Sequence, residues 1–179
     1  DVALTEVSAY TWTVFTSANG VAAVFRRLRA LGMDGRAFGA CRIAAIGPAT
    51  AQALQDRGIL PDLVPEQYLT EAVARALAGQ GIKGARILLP RTDIAGEDLA
   101  RLLAEGGARV DQVIAYRTVQ AKQLDLSVLP SVDVVTFASA STVKNLFTLL
   151  NGDTRLLDGA SVACIGPITA RAAREAGLR

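Results

Sequence analysis

Residues 43–51 read IAAIGPATA and residues 162–170 read VACIGPITA, so one apolar run of strand length, closed by Gly-Pro-x-Thr-Ala, occurs twice in a chain of 179 residues. The match extends upstream. VFTSA at 14–18 resembles TFASA at 136–140, in each case a strand-like segment followed by small hydroxyl residues. Ser139 follows Ser17 by 122 positions, and Gly166 follows Gly47 by 119. A unit of this length is too long for a solenoid repeat, and the near-constant offset predicts two similar domains in one chain.

Around the first copy, residues 11–16 are rich in β-formers (Trp12, Thr13, Val14, Phe15) and predict a buried strand. Ser17 is placed to cap a helix in which Val21, Val24, Phe25 and Leu28 recur at helical spacing. A strand over 41–46 gives way at Gly47-Pro48 to a second helix, since proline is tolerated in a first turn where its missing N–H has no intrahelical partner. Gly58 stops that helix, and Thr70 is placed to cap a third, with Glu71 in its first turn. Residues 85–89 predict a strand closed by Pro90-Arg91-Thr92-Asp93; a helix carrying Leu99, Leu102 and Leu103 then ends at Gly106-Gly107, ahead of a strand over 110–119.

Strand and helix alternating over short connections predict a parallel sheet covered on both faces. The expected class is therefore α/β. Two similar α/β domains are expected, each a parallel sheet flanked by helices: the first over 1–119, a linker over 120–131, and part of the second over 132–179. The second copy has no counterpart of the third and fourth strands, so the parent protein is expected to be longer.

Composition excludes several classes of function. Apolar residues make up 51% and charged residues 20%, as in an ordinary globular protein. No run reaches the roughly 18 apolar residues of a membrane span, and no signal peptide is visible, so the default expectation is a cytoplasmic protein without a membrane partner. A net charge of +2 with interspersed signs offers no nucleic-acid surface. The chain has no histidine, which removes Ser-His and Cys-His catalysis and disfavours zinc. Cys41 and Cys164 lack metal-ligand spacing and are expected to be buried thiols, so no metal is expected.

Ligands of an open parallel sheet bind beyond the carboxyl ends of its strands. The loops there carry Thr16, Ser17, Ala18 and Asn19; Gly47-Pro48-Ala49-Thr50; Pro90, Arg91 and Thr92; Ser139, Ala140, Ser141 and Thr142; and Gly166-Pro167-Ile168-Thr169. Small and hydroxyl residues at helix starts let backbone N–H groups face a carboxylate or phosphate. The plain alternative is that each Ser or Thr only caps its own helix. Arg91 can clamp an anion bidentately, or be a solvated charge. Tyr116 can act in the cleft as a weak acid or donor, or be a half-buried strand tyrosine. Asp93, Glu97 and Asp98 have the spacing of a solvated first helical turn. Neither Gly-x-Gly-x-x-Gly nor a Walker-type phosphate loop is present.

Taken together, VFTSANGV (14–21), IGPATAQAL (46–54), ILLPRTD (87–93) with GARVDQVIAYRTV (107–119), VVTFASASTVKNL (134–146) and IGPITARAAREAGL (165–178) resemble uroporphyrinogen-III synthase of tetrapyrrole biosynthesis. The resemblance implies two α/β domains joined by two crossing strands, with the linear tetrapyrrole hydroxymethylbilane bound in the cleft between them. The chain ends would complete the second domain. It implies a monomeric cyclising lyase without metal or organic cofactor, which inverts the last pyrrole ring, loses water and closes the macrocycle through a spiro intermediate. Tyr116 matches the family tyrosine that assists departure of the hydroxyl, while Ser17, Thr50, Ser139 and Thr169 match substrate contacts, with Ala18, Asn19, Arg91 and Ser141 beside them. A non-catalytic ligand sensor of the same two-lobed fold is the alternative, and a periplasmic-type solute-binding protein is a third reading.

Overall fold

In the computed structural model, which describes residues 1–119 and 125–178, the chain divides into two compact units, Asp1–Thr118 and Val119–Arg179. The first unit enters through a short helix, α1 (Val2–Thr5), and a 3-10 turn to β1 (Trp12–Phe15). It continues through α2 (Ala18–Ala30), β2 (Arg42–Ala45), α3 (Pro48–Gln55), α4 (Thr70–Ala78), β3 (Arg86–Thr92), α5 (Asp98–Glu105) and β4 (Arg109–Tyr116). All strand pairs are parallel, in the order β2-β1-β3-β4.

Central strands need apolar side chains on both faces, and β1 is buried at every position. Phe15 points to the layer of α2 and α3, where it joins Val21, Val24, Leu28 and Leu54. Trp12 and Val14 point the other way, to Val73 and Leu77 of α4 and Leu99 and Leu103 of α5. β3 repeats this alternation, with Leu88 on the first side and Ile87 and Leu89 on the second. Burying each such side chain contributes about 1.5–3 kcal/mol. The two clusters fix which way every strand-end loop departs.

β1 leads to α2 on one face and β3 leads to α5 on the other, so the chain reverses its winding between β1 and β3. Loops diverge at such a point and leave a crevice at the strands' carboxyl ends.

The second unit holds β5 (Val134–Phe137), α6 (Ala140–Leu149), β6 (Ser161–Cys164) and α7 (Pro167–Glu175). β5 and β6 pair in parallel, and Phe137, Val143, Leu150, Leu157, Ala172 and Ala173 form its core. Val134 of β5 is 54% exposed, unlike any residue of β1. The repeat carries over into backbone geometry. Ser17 and Ser139 share φ −162° with ψ 152° and 156°, and Gly47 and Gly166 are both extended ahead of a proline that opens a helix.

Some expected boundaries move. β3 runs on through Pro90 to Thr92, because Pro90 lies past the last β3 residue paired with β1 and its missing N–H breaks no bond on that side. Thr70 is the first residue of α4, and the capping position is Leu69, whose side chain cannot cap. Asp98 opens α5, so Asp93 and Glu97 lie outside its first turn. Cys41 is buried but Cys164 only half-buried. Of the expected linker, residues 120–124 lie outside the described residues, and Asp125 caps a 3-10 helix over Leu126–Ser131.

Candidate functional site

Ser17 is separated from β1 by one residue and caps α2, its Oγ accepting the Gly20 N–H at 3.0 Å. The same Oγ lies 3.0 Å from the phenol oxygen of Tyr116, the last residue of β4. Two residues 99 positions apart thus meet at the carboxyl edge of the sheet. The backbone at Gly20 passes close to this contact. A Cβ there would lie 3.3 Å from Ser17 Oγ, 3.6 Å from the Pro90 carbonyl and 4.0 Å from the Tyr116 ring, so the start of α2 passes closely over the ends of β3 and β4. Ala18 and Asn19 are exposed in that first turn.

Tyr116 reaches Ser17 through an irregularity. Arg91 pairs with Ile114, but Thr92 pairs with Tyr116, so β4 carries one extra residue, Ala115. Val113 and Ala115 both pack on the α2 side, and strict alternation would turn Tyr116 away from it. The bulge re-aims the phenol, as bulges beside functional sites do. Beyond it the Asp93 N–H donates to the Tyr116 carbonyl at 3.3 Å, and Asp93 Oδ1 accepts the Thr118 N–H at 3.0 Å.

The other expected residues fall in different settings. Thr50 is buried in the first turn of α3. In the second unit Thr169 is buried in the first turn of α7. Ser139 caps α6 by accepting the Thr142 N–H at 3.2 Å and lies 3.0 Å from the Ser141 hydroxyl. Arg91 sits on β3 rather than in a free loop. One terminal nitrogen donates to Gln112 Oε1 at 2.7 Å and the other to the Gly96 carbonyl, leaving Nε buried without a partner. It fastens the 93–97 loop to the sheet edge instead of presenting an open fork.

One electrostatic feature unites these positions. Helices α2, α3, α6 and α7, which follow the repeated strands, have no acidic residue in their first turns, whereas α4 has Glu71 and α5 has Asp98. Acidic side chains normally compensate the positive end of a helix. Its absence at four starts leaves N–H groups and dipoles available to an external anion.

Sequence reasoning missed Tyr68. Its ring covers Gly47 so closely that a Cβ there would lie 3.0 Å from Cγ, yet Tyr68 is 59% exposed. At Gly166 a Cβ would meet nothing within 4 Å, so the repeat gave no hint of a partner ring. Among the described residues, no cluster of three or more Cys, Asp or Glu is grouped to hold a metal ion, and no helix is long and apolar enough to cross a membrane.

Comparison with known proteins identifies a common family. The family model described as "Uroporphyrinogen-III synthase HemD" matches residues 1–179. A Methanothermobacter thermautotrophicus protein provisionally named uroporphyrinogen-III synthase is 38% identical over 176 residues, covering 92% of this chain and 69% of the relative. The uroporphyrinogen-III synthase of Synechococcus elongatus is 29% identical, with 98% of this chain and 70% of the relative covered. In fold, the chain is similar to the crystal structure of uroporphyrinogen-III synthetase from Helicobacter pylori 26695, with a TM-score of 0.65 at 21% identity, over 96% of this chain and 75% of that one.

Proposed function

We infer what the protein does from one premise: the chain belongs to the uroporphyrinogen-III synthase HemD family, which its whole length matches. It is an enzyme of tetrapyrrole biosynthesis that cyclises hydroxymethylbilane to uroporphyrinogen III, acting as a lyase that releases water and inverts the last pyrrole ring. It works as a cytoplasmic monomer.

The observation that carries the mechanism is the Ser17–Tyr116 contact at the start of α2. A hydroxyl is both donor and acceptor. With Ser17 Oγ accepting the Gly20 N–H and donating its hydrogen to the Tyr116 oxygen, the phenol hydrogen is free to turn to the substrate hydroxyl that must leave as water. Each bond in such a chain polarises the next. The backbone N–H at the helix start therefore supports the donor that assists the leaving group.

The substrate's carboxylates are held at the helix starts that lack acidic residues, through Ala18 and Asn19 backbone and the hydroxyls of Thr50, Ser139, Ser141 and Thr169, while the Ser17 hydroxyl is committed to Tyr116. Arg91 contributes by shaping the edge beside them. Holding the chain so that closure occurs at the substituted carbon is an orientation effect, the large term in a reaction without a covalent enzyme intermediate.

Tyr116→Phe tests this reading. Removing a positioned proton donor costs on the order of 10²–10⁴ in rate, so type III product should form at least about 10²-fold more slowly with the unfolding transition unchanged. Native turnover in that variant would refute the role of Tyr116.

A further inference from the structure

A phenol at the last residue of an edge strand is held only as firmly as the backbone beneath it. β4 ends at Tyr116 immediately after its extra residue, so the pairing with Thr92 is the last step of the ladder to β3 beneath the phenol. Asp93 supplies a further restraint from both sides. Its N–H donates to the carbonyl of Tyr116 at 3.3 Å, and its Oδ1 accepts the N–H of Thr118, two residues on, at 3.0 Å. The Thr92 hydroxyl joins the cluster, 3.0 Å from Asp93 Oδ1 and 3.0 Å from the Thr118 hydroxyl. The Thr118 N–H, foremost among these partners, holds the Asp93 carboxyl below its ordinary range, so the acceptor is ionised at neutral pH.

We propose that Asp93 is a positioning residue for Tyr116: its N–H and carboxylate together lock the bulged end of β4, keeping the phenol on the Ser17 hydroxyl and in line with the departing group. Asp93 touches no substrate itself. The proposal rests on the role given to Tyr116 above, and it accounts for an exposed aspartate that caps no helix and forms no ion pair among the described residues.

The test is a double-mutant cycle on the full-length protein with hydroxymethylbilane, reading kcat and KM for native, Asp93→Ala, Tyr116→Phe and the double variant. Loss of orientation costs up to about 10²-fold, so Asp93→Ala should lower kcat by about 10- to 100-fold and leave KM nearly unchanged. In the Tyr116→Phe background the same substitution should change kcat little, because the group it positions is gone. Asp93→Asn keeps the Oδ1 acceptor and should recover most of the rate. Thr92→Val, which removes only the hydroxyl, should give a milder form of the same pattern and serves where Asp93→Ala does not fold.

An Asp93→Ala penalty equally large in both backgrounds, a loss confined to KM, or an asparagine no better than alanine overturns the proposal while leaving Tyr116 in place. Native kcat in Thr92→Val, where Asp93→Ala does not fold, does the same. Full activity of Tyr116→Phe alone overturns both readings.

Discussion

Gly20 is the residue on which the proposed site is most sensitively balanced. It occupies the third position of α2, where alanine would ordinarily stabilise the helix by about 1 kcal/mol, but a Cβ there would press on Ser17 Oγ at 3.3 Å. Gly20→Ala should therefore separate activity from stability: thermal melting holds or rises, while turnover falls as Ser17 shifts from the phenol. Equal activity and stability to native would mean the close approach has no functional weight. The hydroxyl character of Ser17 and the tyrosine at 116 were legible in the sequence, because the first follows a strand-like run and the second lies near the end of one. Their contact was not. It depends on one extra residue in β4, and the bulge shows only against the register of β3. Asp93 was hidden for the same reason, since its partners Tyr116 and Thr118 lie more than twenty positions away.

At the level of elements, the strand-helix alternation and the helix starts at Ser17, Pro48, Ser139 and Pro167 were readable from local chemistry. The run of β3 through Pro90 was not, because proline stops a strand only where the lost N–H had a neighbour to bond. Nor did any pattern reveal the clasp at the opposite end of the sheet. Tyr10, 3% exposed, donates to Asp111 Oδ2 at 2.8 Å and lies under the Arg86 guanidinium at 4.3 Å, joining the entry segment to β3 and β4. Burial, followed by the Asp111 bond, pushes the Tyr10 phenol up to about 12. An unfolded tyrosine titrates near about 10. A raised value stabilises the fold fully below the unfolded pKa and ceases to do so as pH climbs to the folded one. Stability measured by denaturant titration should therefore decline over this alkaline window, and Tyr10→Phe should flatten the decline. An unchanged slope in the variant would place the alkaline loss elsewhere.

For the molecule as a whole, the duplicated Gly-Pro-x-Thr-Ala segment led to two units, and the structure gives each copy the same capping geometry. The copies are not equivalent in chemistry. The first brings a tyrosine to its serine cap, whereas among the described residues the serine cap of the second meets the Thr142 N–H and the neighbouring hydroxyls of Ser141 and Thr142. The chain covers about 70% of the Methanothermobacter thermautotrophicus and Synechococcus elongatus relatives, and the central claim concerns the activity itself. Freshly generated hydroxymethylbilane closes spontaneously to the type I isomer, and incubation followed by separation of the isomers reads the enzyme directly. The account predicts type III uroporphyrinogen as the dominant product at native enzyme concentrations; type I alone, at the uncatalysed rate, would contradict it.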